Sequence, residues 1–449
     1  MILHAETALL PEGWARDVRI VVEEGRIASV SPGAVPEGLA HGCLLPAPVN
    51  LHSHTFQRAM AGLTEARTAG QDSFWTWRAL MYRFLERLSP EDVQAIAAQA
   101  MVEMAESGFS AVCEFHYLHH PVGGGTYADP AEMSARIAAA AGETGLGLTH
   151  LPVIYEQGGV DGRALAGGQL RFGATPEVYA QVLEGAGRAL ANMPDAVLGV
   201  APHSLRAVSQ NTLARVAGMV PGGPVHIHIA EQVAEVAEVQ AAWGARPVDW
   251  AVKNLPLDRR WCMIHATQMT AEETAALART GAVAGLCPIT EANLGDGIFD
   301  APGWLAAGGA FGVGSDSNIR ISLAEELRLL EYSQRLNLKA RAVLADSRST
   351  GRFLWEGAAR GGAQAAGRAG GAIAVGQWAD LLALDTGDLR LEGLAGDQLL
   401  DAFLFAGRDG LVTDLWSAGR HIVREGRHIA REAVETRFRA TMRRLREAL

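Results

Sequence analysis

The fold of this chain is decided by a stretch near its start, Cys43-Leu44-Leu45-Pro46-Ala47-Pro48-Val49-Asn50-Leu51-His52-Ser53-His54. The apolar run from Cys43 to Leu51 has the length of a buried strand, and it ends in the polar triplet His52-Ser53-His54. Further short apolar runs of the same kind follow along the chain. They span Ser110–Phe115, Leu146–Ile154, Val197–Ala201, Pro224–Ile229, Trp261–His265, Ala282–Cys287 and Phe311–Ser315.

Amphipathic helical stretches separate these apolar runs. The clearest of them span residues 90–107, 130–143, 176–192, 232–253 and 271–280. Strands that alternate with helices imply a parallel sheet, and eight such units predict a (β/α)8 barrel of the α/β class. A doubly wound open sheet is the alternative. Its dinucleotide-binding version lacks support, because no Gly-x-Gly-x-x-Gly follows the first run.

Both ends of the chain show another pattern, in which short strands are joined by tight turns. The strand-like segments span residues 17–22, 26–30, 379–384, 414–419 and 420–424, and a predicted helix over 430–448 closes the chain. We therefore expect one small discontinuous β-rich domain of the sandwich type, built from residues 1–46 and 372–449. The barrel between them, residues 47–371, is expected to be the catalytic domain.

Metal-binding side chains end four of the predicted strands. His52 and His54 end the first strand, His228 the fifth, His265 the sixth and Asp316 the eighth. In a parallel barrel these carboxyl ends meet on one face, where active sites form. Residues two apart on a strand point to the same side, about 6–7 Å from each other. The pattern predicts a zinc or iron site of imidazole and carboxylate ligands with room for a water molecule.

Each of these residues has a simpler interpretation when taken alone. A His-x-His pair is often a surface or core feature, a lone His265 is more often a core histidine, and Asp316 could cap a helix. Their occurrence together at the ends of strands one, five, six and eight favours the metal site. His226 precedes His228 by two residues, and we give it a supporting or structural role. His116, His119 and His120 cluster near the second strand, and we expect surface positions for them at least as readily as buried ones.

Composition narrows the class of protein. The 449 residues carry a formal net charge of −11, which argues against a general binder of nucleic acid or of anionic membranes. The four cysteines are scattered, and neither a secretory signal nor an apolar stretch of about 20 residues is present, so we expect a cytoplasmic protein. Of the 39 basic residues only Lys253 and Lys339 are lysines.

The four strand ends and the split β-rich domain resemble the amidohydrolase superfamily. Within it, the chain resembles the formimidoylglutamate deiminase family of histidine degradation over essentially its whole length. The stretches that carry this closer resemblance are Asn50–Gly62, Asp72–Arg78, Glu114–Tyr117, His203–Arg206 and Thr290–Phe299.

The resemblance also bears on the number of metal ions. Many members of the superfamily hold two metals bridged by a carbamylated lysine on the fourth strand, yet neither lysine of this chain lies near Val197–Ala201. What remains resembles the one-metal branch. The resemblance then implies one Zn²⁺ per chain, with Fe²⁺ as the alternative, held by His52, His54, His228 and Asp316.

The family activity implied is hydrolysis of N-formimidoyl-L-glutamate to N-formyl-L-glutamate and ammonia. In the one-metal branch a glutamate three residues after the strand-five histidine moves protons, and here that residue is Glu231. His265 is expected to stabilise the attacking oxygen or polarise the bond. Asp316 is expected to receive a proton as well as to bind the metal.

A substrate with two carboxylates requires local positive charge in an acidic protein, and arginine supplies it with bidentate geometry. The resemblance assigns this role to Arg78 and Arg206. Gln57, Tyr117 and His203 are expected to add hydrogen bonds.

Two other functions stay open at this stage. A one-metal deaminase of a purine or pyrimidine base would use stacking aromatic residues more than arginines. A binding or scaffold protein that has lost its metal is disfavoured by the complete set of metal and catalytic residues. A homodimer is expected only by analogy with related barrels.

Overall fold

The computed structural model of the chain describes residues 1–63, 65 and 81–447. Its strands, in chain order, are β1 (Ile2–Leu10), β2 (Gly13–Glu23), β3 (Arg26–Ser31), β4 (Leu39–Pro46), β5 (Val49–Ser53), β6 (Ala111–His116), β7 (Gly147–Ile154), β8 (Val197–Leu198), β9 (Ala201–Pro202), β10 (Val225–Ile229), β11 (Trp261–His265), β12 (Val283–Leu286), β13 (Ala310–Val313), β14 (Leu381–Leu384), β15 (Val412–Ser417), β16 (Arg420–Arg424) and β17 (Arg427–His428).

The α-helices among the described residues follow the strands in a regular alternation through the middle of the chain. They are α1 (Pro90–Ser107), α2 (Glu132–Thr144), α3 (Pro176–Leu190), α4 (Gln210–Val216), α5 (Val233–Trp243), α6 (Pro247–Asn254), α7 (Ala271–Ala278), α8 (Pro288–Leu294), α9 (Ala301–Ala306), α10 (Leu323–Leu338), α11 (Thr350–Ala365), α12 (Asp397–Phe405) and α13 (Arg431–Glu447). Short 3-10 helices cover Thr55–Met60 and Gly167–Arg171. In this part of the chain, no helix is both long and apolar enough to span a bilayer.

The middle strands form a parallel barrel. Strands β5 to β8 pair in chain order, β9 continues the fourth position against β7, and β10 to β13 form the other half. Parallel bridges between Val200 and Val225 and between Ser53 and Asp316 join the two halves. The predicted (β/α)8 barrel is confirmed.

The two ends of the chain form a single mixed sheet in the order β17-β16-β15-β14-β4-β1-β2-β3. Strands β1 and β4 are parallel, and the other neighbours are antiparallel. The predicted β-rich companion of the barrel is therefore present and takes strands from both termini.

Three predicted elements are each divided in two. The run from Cys43 to Leu51 is two strands, because β4 ends at Pro46 and Pro48 has no N–H to continue a ladder. The fourth strand is interrupted at Gly199, where a side chain would meet Leu151 and Pro224. The helix predicted over 232–253 is two helices, since Gly244 takes a φ of 74° and Pro247 begins a new helix. The predicted end of the last helix at Ala448 lies outside the described residues.

A buried ion network links the sheet to the barrel. The Arg368 side chain, 1% exposed, donates to Asp380 Oδ2 at 2.6 Å and to Asp195 Oδ2 at 3.0 Å. Arg420 of β16 also donates to Asp195, at 2.9 and 2.7 Å. Asp195 precedes β8 of the barrel and Asp380 precedes β14 of the sheet, so these charges hold the two parts together.

Replacing Asp380 with alanine should lower the free energy of unfolding by about 3–5 kcal/mol, because it leaves the buried Arg368 without half of its compensating charge. Urea unfolding of both proteins measures the difference. The exposed pair Arg19–Glu37 is the control, since Glu37→Ala should change stability by less than about 1 kcal/mol. Equal effects of the two substitutions would refute a structural role for the network.

Candidate metal centre

The four predicted metal ligands lie together at the carboxyl ends of the barrel strands. One ligand atom from each of His52, His54, His228 and Asp316 lies within 4.8 Å of the others, and all four residues are buried. Asp316 Oδ1 is 3.3 Å from His54 Nε2 and 3.5 Å from His52 Nε2. His228 Nε2 is 3.0 Å from His52 Nε2.

Backbone carbonyls orient two of these imidazoles. His54 Nδ1 lies 2.8 Å from the Phe115 carbonyl oxygen, and His228 Nδ1 lies 3.0 Å from that of His203. A carbonyl accepts from a protonated Nδ1, so the lone pair is left on Nε2, which faces the centre of the cluster.

The protonation states also suit a cation. Burial lowers the pKa of His52 to about 3 and holds that of His228 well below its usual value. Neutral imidazole is the form that binds metals, and the two Nε2 atoms, 3.0 Å apart, stand close enough to share one cation. Three nitrogens and one carboxylate fit a Zn²⁺ or Fe²⁺ ion.

Unusual backbone conformations surround the cluster. Positive φ angles occur at Ala230 (50°), His265 (66°), Ala266 (48°), Asp316 (45°) and Asn318 (55°). In residues other than glycine such angles cost about 1–3 kcal/mol each and persist where neighbouring structure enforces them, often at functional sites.

Asn318 is one of the enforcing residues, and sequence reasoning assigned nothing to its loop. Its Nδ2 donates to Ser53 Oγ at 3.1 Å, to the His54 carbonyl at 3.1 Å and to the Asp316 carbonyl at 3.0 Å. Its Oδ1 accepts from Ser315 Oγ at 2.6 Å. The side chain therefore ties the first strand of the barrel to the eighth, directly behind the metal ligands.

Glu231 and His265 lie beside the cluster. His265 Nε2 is 3.9 Å from Glu231 Oε1 and 3.7 Å from Asp316 Oδ2. Burial raises the pKa of Glu231 above its usual value despite the opposing effect of His265. Burial disfavours the charged form of His265, but Glu231, Glu291 and Asp316 outweigh it and raise its pKa well above 6.5.

Glu291 is a second residue whose role the sequence did not reveal. Its Oε1 lies 3.2 Å from His265 Nδ1 and accepts the Cys287 backbone N–H at 2.9 Å. This contact directs Nε2 of His265 towards Glu231 and Asp316. Glu291 stands within the stretch Thr290–Phe299 that carried the family resemblance, but no strand pattern distinguished it.

A cavity of about 640 Å³ opens from the cluster. It is lined by metal-cluster and catalytic candidates, by polar groups and by an aromatic wall: His54, Gln57, Met81, Tyr82, Tyr117, Tyr155, Phe172, His203, Arg206, His228, Glu231, His265, Thr290, Leu294, Asp316 and Ser317. The predicted substrate-binding residues Gln57, Tyr117, His203 and Arg206 thus share one cavity with the metal cluster. The fifth, Arg78, lies outside the described residues.

Arg206 brings a positive charge to this cavity. Among the described residues its guanidinium makes no hydrogen bond or ion pair, and its Nε is buried. Burial works against the charge, but Glu235, Tyr155 and Glu231 raise the pKa of Arg206 above its usual value. Gln57 Nε2 donates to Tyr117 Oη at 2.6 Å, while the buried Gln57 Oε1 has no partner in the described part of the chain.

The remaining histidines lie away from the metal cluster. His226 is buried, and its Nε2 lies 2.8 Å from the Ala365 carbonyl of α11, which agrees with a structural role. A surface position for the second-strand histidines was wrong. His116 lies in β6, and the loop that carries His119 and His120 turns back against β7 and Arg171, so the three side chains are 0%, 1% and 4% exposed.

The two histidines of β10 give a matched test of the metal cluster. His228→Asn should weaken metal binding at least about 10- to 100-fold, because it removes a nitrogen donor. His226→Asn should keep a full equivalent of metal. Metal content per chain after gel filtration measures both, and full metal retention by His228→Asn would show that this cluster is not the site.

Comparison of the sequence with known proteins identifies related families and a close relative. Residues 43–422 match the Amidohydrolase family, and residues 1–39 match the N-terminal domain of formimidoylglutamate deiminase HutF. A formimidoylglutamate deiminase from Pseudomonas aeruginosa is 50% identical over 430 residues, which cover 94% of this chain and 95% of that protein.

Solved structures show the same similarity. An amidohydrolase from Brucella melitensis is 48% identical, with a TM-score of 0.96 over 99% of both chains. A zinc-bound adenosine deaminase from Xanthomonas campestris is 22% identical, with a TM-score of 0.84 over 99% of this chain and 98% of that one, a likeness of fold alone.

Proposed function

Because the chain belongs to the formimidoylglutamate deiminase family of the amidohydrolases, we propose that it hydrolyses N-formimidoyl-L-glutamate to N-formyl-L-glutamate and ammonia in histidine degradation. The observation that carries this substrate is the Arg206 guanidinium. It stands without an ion pair among the described residues, in the same cavity as the metal cluster. A cation so placed favours an anionic substrate.

The proposed metal is one Zn²⁺ per chain, with Fe²⁺ as the alternative, held by His52, His54, His228 and Asp316. When bound, this ion supplies Lewis-acid activation of water. The donor set of three neutral imidazoles and one carboxylate supports the assignment.

Glu231 is the proposed proton carrier. A carboxylate in this position accepts a proton from the attacking water and returns it to the nitrogen that leaves, so the amidine carbon gains a C–O bond and loses a C–N bond. The raised pKa of Glu231 supports this exchange, since burial makes its carboxylate a better proton acceptor than an exposed one.

His265 is proposed to stabilise the oxygen that adds to the amidine carbon. Glu291 holds its Nδ1 at 3.2 Å and so fixes the direction of Nε2. Asp316 Oδ2 lies 3.7 Å from His265 Nε2 and is proposed to receive a proton during the reaction. Its other oxygen, Oδ1, faces His52 and His54.

The substrate carboxylates are proposed to bind Arg206 and Arg78. Gln57, Tyr117 and His203 line the same cavity and offer hydrogen bonds to the substrate. The amide oxygen of Gln57, buried and without a partner among the described residues, suits a substrate N–H.

One observation favours a purine or pyrimidine deaminase instead. The aromatic side chains of Tyr82, Tyr117, Tyr155 and Phe172 line the cavity, and a flat base could stack on them. A neutral base, however, would leave the partly buried Arg206 guanidinium without a direct ion-pair partner among the described residues, so the amidine dicarboxylate is the preferred substrate.

The domain bounds, the cellular location and the oligomeric state are also proposed. We assign residues 1–46 and 372–449 to one domain and residues 47–371 to the catalytic barrel, in line with the strands that each sheet takes. The four cysteines are free and buried, which supports a reducing, cytoplasmic location. A homodimer is proposed by analogy with related barrels.

Substitution of Arg206 tests the substrate. Arg206→Gln should lower kcat/KM for N-formimidoyl-L-glutamate by about 10- to 100-fold, the loss of one charge-assisted contact. Arg206→Lys keeps the charge without the bidentate fork, so its kcat/KM should lie between those of Arg206→Gln and the unmodified protein. N-formimidoylglycine lacks the side-chain carboxylate of the substrate, and its uncharged amide lacks both carboxylates. The rates of Arg206→Gln and of the unmodified protein should converge on a substrate that lacks the carboxylate which Arg206 binds. Equal loss on all three substrates would contradict a carboxylate contact.

Substitution of Glu231 tests proton transfer. Glu231→Gln should lower kcat about 10²- to 10⁴-fold because the amide cannot accept the proton. Its metal content should remain that of the unmodified protein. Near-normal turnover by this variant would exclude Glu231 as the proton carrier.

A further inference from the structure

The two carboxylate oxygens of Asp316 face different histidines. Oδ1 lies 3.3 Å from His54 Nε2 and 3.5 Å from His52 Nε2, within the metal cluster. Oδ2 lies 3.7 Å from His265 Nε2, outside it. A carboxylate that binds the resident ion through Oδ1 therefore leaves Oδ2 available beside His265.

A thiol completes a second group of donor atoms there. One ligand atom each from His265, Cys287 and Asp316 lies within 4.8 Å of the other two. Cys287 follows β12 directly, so it belongs to the same barrel face, and it is 0% exposed. The proposed reaction makes no use of this side chain.

We propose that His265, Cys287 and Asp316 form a second cation site, next to the resident metal, that takes a thiophilic divalent ion such as Cd²⁺ or Zn²⁺ in excess. An imidazole, a thiolate and a carboxylate are the donors that such ions prefer. The thiol proton of Cys287 and the Nε2 proton of His265 are both released to solvent when the ion binds. No lysine is needed, so this site differs from the carbamate-bridged pair excluded above.

Occupancy of the second site inhibits the enzyme. The ion engages His265 Nε2, the atom that faces Glu231 Oε1 at 3.9 Å, and so removes His265 from its part in the reaction and places positive charge beside Glu231. This consequence rests on the proposed function, whereas the binding itself rests only on the three donors.

Titration of the purified holoenzyme with CdCl₂ tests the inference through metal content, the ultraviolet sulfur-to-cadmium charge-transfer band and activity. The protein should take up Cd²⁺ beyond its resident equivalent, develop the band and lose activity, and a chelator should restore it. Cys287→Ser and Cys287→Ala should keep the activity measured without added Cd²⁺. Both should lose the band and need at least about 10- to 100-fold more Cd²⁺ for half-inhibition.

Cys262→Ser is the matched control, because Cys262 is equally buried on the neighbouring strand β11 but lies outside the donor group. It should behave as the unmodified protein. Unchanged inhibition of both Cys287 variants, or loss of the band in Cys262→Ser, would overturn the second site. A holoenzyme without even one resident equivalent would overturn the proposed function and the predicted inhibition, whereas the charge-transfer band would still test the second site.

Discussion

The structure depends on how the barrel closes between its first and last strands. The Asp316 N–H donates to the His52 carbonyl at 2.9 Å, and the His54 N–H donates to the Asp316 carbonyl at 2.9 Å. The three residues whose backbones close the barrel supply three of the four side chains of the metal cluster. Closure and ligand geometry are therefore one constraint, and a shift of either strand would separate Asp316 from His52 and His54.

This constraint explains why the residues with positive φ angles, and the polar side chains of Asn318 and Asn50 that clamp the two strands together, occur where they do. Asp316 and Asn318 both take positive φ angles, and Asn318 donates to the backbone on each side of the closure. Asn50 adds to the clamp, since its side chain donates to Ser315 Oγ at 2.6 Å and accepts the Ser315 N–H at 3.0 Å. Buried hydrogen bonds of this kind offset the backbone strain and keep the carboxylate of Asp316 aimed at the histidines.

The sequence predicted the parts of this arrangement that follow from strand period and strand ends. His52 and His54 share a face because they are two residues apart, and His228 and Asp316 join them because parallel strands end on one face. Asn318, Glu291 and the buried positions of His116 and His119 were beyond such reasoning. Their contacts depend on which loops fold over which strands, and no local periodicity records that. The division of the first apolar run was readable in principle, because Pro48 could not have joined a continuous ladder.

The cavity contains a positive charge, although the protein as a whole is acidic. The chain carries a net charge of −11, yet the cavity presents Arg206 without an ion pair among the described residues. Glu235 and Glu231 favour the charged form of that guanidinium, and aromatic side chains line the same cavity. The same cavity thus offers positive charge to an anionic group at one point and a proton carrier beside the metal cluster at another.

This cavity is proposed to turn over an anionic amidine. The direct test is the rate of ammonia release by the metal-loaded protein from N-formimidoyl-L-glutamate, guanine and cytosine under identical conditions. We expect turnover of the first in the ordinary enzymatic range, about 1–10³ s⁻¹, and far slower release from the two bases. Ammonia from guanine or cytosine with none from N-formimidoyl-L-glutamate would contradict it.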